Sequence, residues 1–302
     1  MKNIKLSIVI PYYKINFFGA TLESLANQTN KQFKVYIGDD ASLDNPKELL
    51  DKYQDQFNFV YQKFEENLGG ISLVQQWNRC IALSSNEDWI IILGDDDVLE
   101  SNCVESFYSN LKEIEDLDST VVRFATQVVD KNGKTISKIH QHPKIEIAGD
   151  FLIRKFKGGT RSSLSEYVFK KEVVDKVQFK DFPLAWYSDL LAVLEFSRWK
   201  EIFTINEAIV YFRLSGINIT SRTDDSVIKN IATFQFYHFL LHKYDTKLSK
   251  QLVQEIFNRI EKTLLDNKKN LKRWSQLFSL YLKFLQFKRF FTLSLKIKKS
   301  IR

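Results

Sequence analysis

Four short apolar runs in the first hundred residues constrain the fold of this chain more than anything else in it. They are Ile4–Ile10, Phe33–Gly38, Phe57–Phe64 and Trp89–Leu93. The first and last are almost continuously apolar, the pattern of strands covered on both faces. Helical spacing fills the gaps between the runs. Phe18, Leu22, Leu25 and Ala26 recur at that spacing, Pro46–Tyr53 starts near Asp44, and Ile71–Leu83 carries Val74, Trp77 and Ile81 on one face. Strands joined by helices are βαβ units, which predicts an α/β fold: a Rossmann-like, mostly parallel sheet flanked by helices.

The second half is less regular. Thr120–Val129 reads as a strand and Lys131-Asn-Gly-Lys134 as a hairpin turn. Ser165–Phe169 and Ala208–Phe212 are short strand candidates, and Trp186–Trp199 is a helix with Asp189 in its first turn. Beyond Ser226 the pattern is helical, without Gly or Pro, which predicts a C-terminal helical extension. The expected domains are 1–222 and 223–302.

Charge follows the same division. Of 44 Lys and Arg, 11 lie between Asn267 and Arg302 with no Asp or Glu, leaving 33 basic against 37 acidic residues, a net of −4, in 1–266. A nucleic-acid binder spreads positive charge over its folded body, so no nucleic acid is expected as a partner. Two cysteines, Cys80 and Cys103, make neither a disulfide framework nor a zinc spacing and suit a reducing compartment. The first apolar run is broken by Pro11, too early for a signal peptide or membrane span.

Carboxylates close two of the strands. Gly94-Asp95-Asp96-Asp97 ends the fourth run and Asp39-Asp40 ends the second. Adjacent carboxylates repel unless cations or donors compensate them. The carboxyl ends of strands are where open α/β sheets bind ligands. Oxygen ligands on a short turn suit Mg²⁺ or Mn²⁺, which in turn binds phosphate oxygens.

Five segments in order resemble the family 2 glycosyltransferases of the GT-A type: Ser7-Ile-Val-Ile-Pro-Tyr-Tyr13, Leu25-Ala-Asn-Gln-Thr29, Ile37-Gly-Asp-Asp-Ala-Ser42, Asn67-Leu-Gly-Gly70 and Ile92-Leu-Gly-Asp-Asp-Asp97. They cover about residues 4–100, with a weaker match to about Ser221. The resemblance implies a nucleotide-sugar half over 1–100 and an acceptor half over 101–222. It implies that Pro11, Tyr12, Tyr13 and Asp39 hold the nucleobase and ribose, uracil being the base that a carboxylate and a stacking tyrosine suit. Asn67, Gly69 and Gly70 would close over the donor, with Asn78 nearby. Asp95 would lie near the sugar or ribose, Asp96 would bind the metal and Asp97 would support it. Gly94 stands where many members carry a further Asp, which bears on the role of Asp95.

Inverting transfer needs a carboxylate to take the proton of the attacking hydroxyl. The motif Trp186-Tyr-Ser-Asp189 resembles the family's base segment, so Asp189 is the expected base and Trp186, Ser165 and Glu166 the expected acceptor contacts; Asp181 has a poorer flank. In Phe212-Arg-Leu-Ser-Gly-Ile-Asn218, Ser215 replaces a frequent His, and Arg213 would pair with the diphosphate. The implied reaction moves a sugar from a nucleotide sugar, a UDP-sugar first among them, to a hydroxyl of a glycan or lipid-linked glycan, as in bacterial polysaccharide synthesis. Mn²⁺ or Mg²⁺ is the implied cofactor. The competing readings are a nucleotidyltransferase, which should carry a glycine-rich basic loop after the first strand, and a non-enzymatic binder using the tail.

In that tail Leu271, Trp274, Phe278, Tyr281, Leu282 and Leu285 recur at helical spacing among Lys268, Lys269, Lys272, Arg273, Lys283, Lys288 and Arg289. Either this face packs on the body or 268–302 meets an anionic membrane surface. The location expected is cytoplasmic, peripheral to the inner face of the cell membrane.

Overall fold

The computed structural model describes residues 5–266 and 270–300, and side chains through 295. Ile4, Lys268 and Lys269 of the expectations above, and the lysine side chains after 295, lie outside the described residues. The chain divides into two compact units, one of 1–181 with 188–223 and one of 182–187 with 224–302.

The first unit opens with β1 (Leu6–Tyr12), α1 (Phe18–Ala26), β2 (Phe33–Asp39), α2 (Lys47–Asp51), β3 (Phe59–Lys63), α3 (Leu73–Ile81) and β4 (Trp89–Ile92). It continues through β5 (Val98–Leu99), α4 (Cys103–Asp116), β6 (Val121–Asp130), β7 (Ile145–Ile147), α5 (Ala148–Phe156), β8 (Tyr167–Lys170), α6 (Lys171–Val177), α7 (Ser188–Phe196) and β9 (Glu201–Leu214). Among the described residues nine strands form one sheet in the order β3-β2-β1-β4-β8-β6-β9-β5, with β7 also on β9. The four strands of the first half are parallel, as their apolar runs predict. The second half is mixed: β8 is antiparallel to both β4 and β6, β6 and β9 are parallel, and β5 and β7 are antiparallel to β9. β9 runs well beyond the short strand expected at Ala208–Phe212 because it serves three neighbours at once.

Side chains of β1 alternate across the sheet. Leu6, Ile8, Ile10 and Tyr12 enter one buried cluster together with Phe18 and Leu22 of α1 and Phe107 of α4. Pro11 marks where the sheet opens. Odd-numbered residues of β1 face β4, since Lys5 O accepts from Trp89 N and Val9 O from Leu93 N, while Tyr12 O accepts from Asp40 N of the β2 side. The missing N–H of Pro11 therefore falls on the β4 side just past the last paired residue, Val9, and no ladder bond is lost. Beyond this point the β1 and β4 chains part and leave a crevice at their carboxyl ends.

The second unit contains α8 (Ser226–Lys243), α9 (Lys250–Leu265), α10 (Leu271–Lys283) and α11 (Phe287–Ser300). Tyr187 stacks on Phe236 with ring centroids 4.6 Å apart, and Phe257 of α9 stacks on Tyr281 of α10 at 5.5 Å. Arg273 Nη1 donates to Asn230 Oδ1 at 2.7 Å. Among the described residues no helix is long and apolar enough to cross a membrane.

Candidate active site

The crevice between the β1 and β4 exits holds a cavity of about 440 Å³. Pro11, Tyr13 and Lys14 line it from β1; Asp40, Asn67, Gly69 and Gly70 from the β2 and β3 exits; Asp95–Asp97 from β4; and Ser165, Phe212, Asn218 and Arg222 from the later chain.

The three aspartates differ in what they hold. Asp95 Oδ2 accepts from both Tyr13 N and Lys14 N at 2.8 Å, so this carboxylate fixes the β1 exit loop. Burial raises its pKa to about 6, against the two amides that stabilise its charge. Asp97 accepts from Ser165 Oγ at 2.5 Å and from Arg213 N at 2.9 Å, tying the turn to β9 and to the 3₁₀ turn at Leu164–Glu166. Burial, then the charge of Asp96, lift it to about 7. Asp96 is only partly covered, and burial raises its carboxyl while Ser215 and Arg213 pull the other way. Asp95 and Asp97 are thus tied to backbone amides of other segments, and among the described residues no such amide holds the Asp96 carboxylate.

Among the described residues no group of three or more His, Cys, Asp or Glu side chains is arranged to hold a metal ion. A site of one carboxylate still suits a hard cation that takes its other oxygens from a diphosphate and water. The buried Ser215 hydroxyl lies beside the Asp96 carboxylate.

At the other strand exit, Asp39 is fully buried. Its Oδ1 accepts from Ser42 N at 2.7 Å and its Oδ2 from Tyr61 Oη at 2.5 Å. Ser42 Oγ in turn donates to Tyr13 O at 2.7 Å, so Asp39 sits beneath the tyrosine that lines the cavity. Asp40, which the sequence did not single out as a site residue, forms the cavity wall. It accepts from Leu68 N at 2.7 Å and Gly69 N at 2.9 Å and pairs with Arg79. A Cβ on Gly69 would stand 2.5 Å from Asp40 Oδ2, which is why glycine occupies that position. Asn67 Oδ1 closes the same turn by accepting from Gly70 N at 2.6 Å.

Several expected site residues take other roles. Tyr12 is a core residue against Phe18, its hydroxyl donating to Asp44 O, because strand alternation turns it away from Tyr13. Asn78 lies on α3 outside the cavity lining. Arg213 donates from Nε to Asp96 O at 2.9 Å and from Nη1 to Asp130 O at 3.2 Å, so it braces the aspartate turn against the β6 hairpin. Lys14 and Arg222 are the cations that line the cavity. Glu166 is completely buried, its Oε2 accepting from Ser163 N and Oγ at 3.0 Å in a capping box. Ser165 also accepts from Gly94 N at 3.1 Å. Asp181 accepts from Ser72 Oγ at 2.7 Å. Trp186 belongs to the second unit, where Lys229 Nζ lies 5.0 Å from its ring.

Asp189 stands in the first turn of α7 and does not line the cavity. Burial raises its carboxyl above the usual range, while the Leu190 amide and the charges of Lys155 and Arg161 lower it. Lys155, on α5, is in turn lowered by burial and raised by Asp189 and Glu166. Asp189 is thus a buried carboxylate whose charge is compensated by a backbone amide and by the nearby cations Lys155 and Arg161.

The family described as Glycosyl transferase family 2 matches residues 7–171, more than half of the chain. The glycosyltransferase GlyG of Streptococcus pneumoniae is 30% identical over 109 residues, 36% of this chain and 35% of GlyG, so the chain spans about a third of that relative's length. Among solved structures, Staphylococcus aureus TarS 1–349 in complex with UDP-GlcNAc superposes with a TM-score of 0.67 at 17% identity, over 93% of this chain and 81% of that one. The mannosyltransferase PcManGT from Pyrobaculum calidifontis, in complex with GDP-Man and Mn²⁺, superposes with a TM-score of 0.57 at 10% identity, over 92% and 75%. At those identities the two structures speak for the fold.

Proposed function

Because the chain belongs to glycosyl transferase family 2 and is a glycosyltransferase, we propose that it moves a sugar from a UDP-linked donor to a glycan or lipid-linked glycan hydroxyl, inverting the anomeric carbon. Membership of the family favours this reading over the nucleotidyltransferase and non-enzymatic ones. The observation that carries the proposal is the division of labour in the cavity. All three aspartates line the cavity, but Asp95 and Asp97 are held by backbone amides and a hydroxyl of the protein, whereas among the described residues no such tie from a backbone amide of another segment holds the Asp96 carboxylate. TarS in complex with UDP-GlcNAc supports a UDP-linked donor, and PcManGT with Mn²⁺ supports a divalent ion.

In this reading Tyr13, set by Pro11 below it and by the Asp39–Ser42 link, offers a stacking face to the base. Asp39 acts through that link as a positioning residue. The Asn67–Gly70 turn and Asp40 bound the donor on one side, and Lys14 and Arg222 face the diphosphate. Mn²⁺ or Mg²⁺, held by Asp96 with Ser215 beside it, would neutralise the charge of the departing diphosphate. Asp189 takes the proton of the attacking hydroxyl, and Ser165 flanks the acceptor. A cytoplasmic location at the inner face of the membrane goes with a lipid-linked acceptor met by the basic tail.

A donor screen by nucleoside-diphosphate release tests the proposal, run beside thermal shifts with each nucleotide. UDP should raise the melting temperature, more with Mn²⁺ than without, and Asp96→Asn should lose the metal-dependent part. Stabilisation by another nucleotide alone, or an Asp96→Asn variant that keeps the metal effect, would overturn the donor and metal assignments.

A further inference from the structure

We propose that the outer face of the α10–α11 hairpin is a seat for an anionic lipid surface. On α10, Leu271, Phe278 and Leu282 fall on one stripe, and Leu285 continues it into the turn. On α11, Phe287, Phe291 and Leu295 follow one another at intervals of four. Exposure of these seven side chains runs from 43% at Phe278 to 81% at Leu271. The helices have a second apolar face, with Leu277, Leu280, Tyr281 and Leu293, and that one is buried. Packing within the unit is thus already satisfied, and the outer stripes are surplus to it. The Phe278 and Phe290 rings, 5.1 Å apart, bring the two helices side by side, so the stripes join into one patch.

The turn adds an independent sign. Leu285 has φ +52° and is 74% exposed. Glycine or asparagine takes that backbone conformation easily, and a leucine there is strained. A leucine held in a strained turn with its side chain in water gains nothing from the fold that an asparagine would not supply.

Charge selects the occupant. The segment from Asn267 to Arg302 has 11 Lys and Arg and no carboxylate. Arg273, Lys283 and Arg289 are tied inward, to Asn230, to Asp245 and to Glu261 respectively. Lys272 and Lys288 are exposed beside the stripes, and Lys296, Lys298 and Lys299 follow in the sequence. A second copy docked face to face would set these bases against each other with no carboxylate of the segment to neutralise them. An anionic bilayer satisfies both halves of the pattern: acyl chains take the leucines and phenylalanines, and headgroups take the lysines.

The proposal depends on the lipid-linked acceptor only for its purpose, and its test needs neither donor nor acceptor. The full chain is pelleted with vesicles of phosphatidylcholine alone or mixed with phosphatidylglycerol. It should pellet with the mixed vesicles only, less so as salt rises. The variant Leu285→Asn/Phe287→Gln/Phe291→Gln changes exposed positions alone and should keep its helical circular dichroism and melt no lower than the parent while binding at least about tenfold more weakly. Failure to pellet with mixed vesicles, or equal pelleting by the folded variant, would overturn the proposal. So would lipid-free self-association that the variant abolishes without any change in pelleting, which would assign the patch to a second copy. None of these outcomes bears on sugar transfer, which the donor screen reads separately.

Discussion

Asp189 sets two requirements against each other at a single residue. Burial raises its pKa, so its charged form is held at the expense of stability at neutral pH, while the proposed chemistry needs that charge. Asp189→Asn should lower transfer by about 10²–10⁴-fold with UDP binding retained. Because a raised carboxyl destabilises the fold only above the pH range of its titration, the same variant should melt higher than the parent at pH 7, and the gap should close as the pH falls. Activity of the parent should rise with pH through a value above the ordinary carboxylate range. An Asp189→Asn variant with near-parental turnover would remove it from the role of base. Gly69 carries a second prediction: Gly69→Ala must displace Asp40 Oδ2, which is held by two amides and Arg79, so it should weaken UDP binding in calorimetry more than it lowers the melting temperature. At this scale the sequence was partly readable. An aspartate cluster at a strand end is visible in the letters. Which members are tied to the protein's own donors is not, because that depends on Tyr13, Lys14, Ser165 and Arg213, whose amides and hydroxyl lie far away in the chain.

At the scale of elements, the apolar runs foretold β1, β2 and β4 because burial on both faces leaves a sequence trace that needs no partner to be seen, while β3 is an edge strand with no fully buried residue. The later strands were less legible since their neighbours are distant. β8 reads as a short apolar piece whose direction is settled only by β4 and β6. Glu166 illustrates the same limit: its capping box is local, yet its full burial comes from the sheet around it. Two elements are open to test. Ser72 caps α3 by accepting from Gln75 N at 3.1 Å and also donates to Asp181, so Ser72→Ala should cost about 1 kcal/mol in denaturant unfolding. Arg123 of β6 is completely buried and bonds Glu146 of β7 at 2.5 Å, while Arg154 of α5 bonds the same carboxylate at 2.7 Å. Arg154 still pairs with Glu146 when Arg123 is removed, so Arg123→Ala loses one charge-assisted bond rather than the whole pair and should destabilise by about 1.5–3 kcal/mol. Burial raises the Glu146 carboxyl, but Arg154 and Arg123 outweigh it and hold it below its usual range. Its stabilising contribution is therefore present above the ordinary glutamate pKa and is lost as the pH falls through the lowered one, where a chemical-denaturation series should show the loss.

At the scale of the molecule, ligand and lipid should act on different units. UDP with Mn²⁺ at a hundredfold excess over its dissociation constant should stabilise the sheet unit by about 2.7 kcal/mol, and vesicles should bind through the helical unit with no donor present. The sequence by itself determined the α/β architecture, the carboxylates at two strand ends and the break between an acidic body and a basic tail. Each of these is a matter of composition and period along a continuous stretch, and short-range periodicity is written directly in the chain. Only the tertiary structure decided that Asp95 and Asp97 are tied to donors from remote segments, that Asp40 rather than Asp39 lines the cavity, that Arg213 is a brace, and that the tail has one apolar face buried and another in water. Those outcomes rest on which donors from remote segments reach a side chain first, and on which of two apolar faces finds a partner. Both are fixed by packing between residues far apart in sequence, where no local pattern records the result.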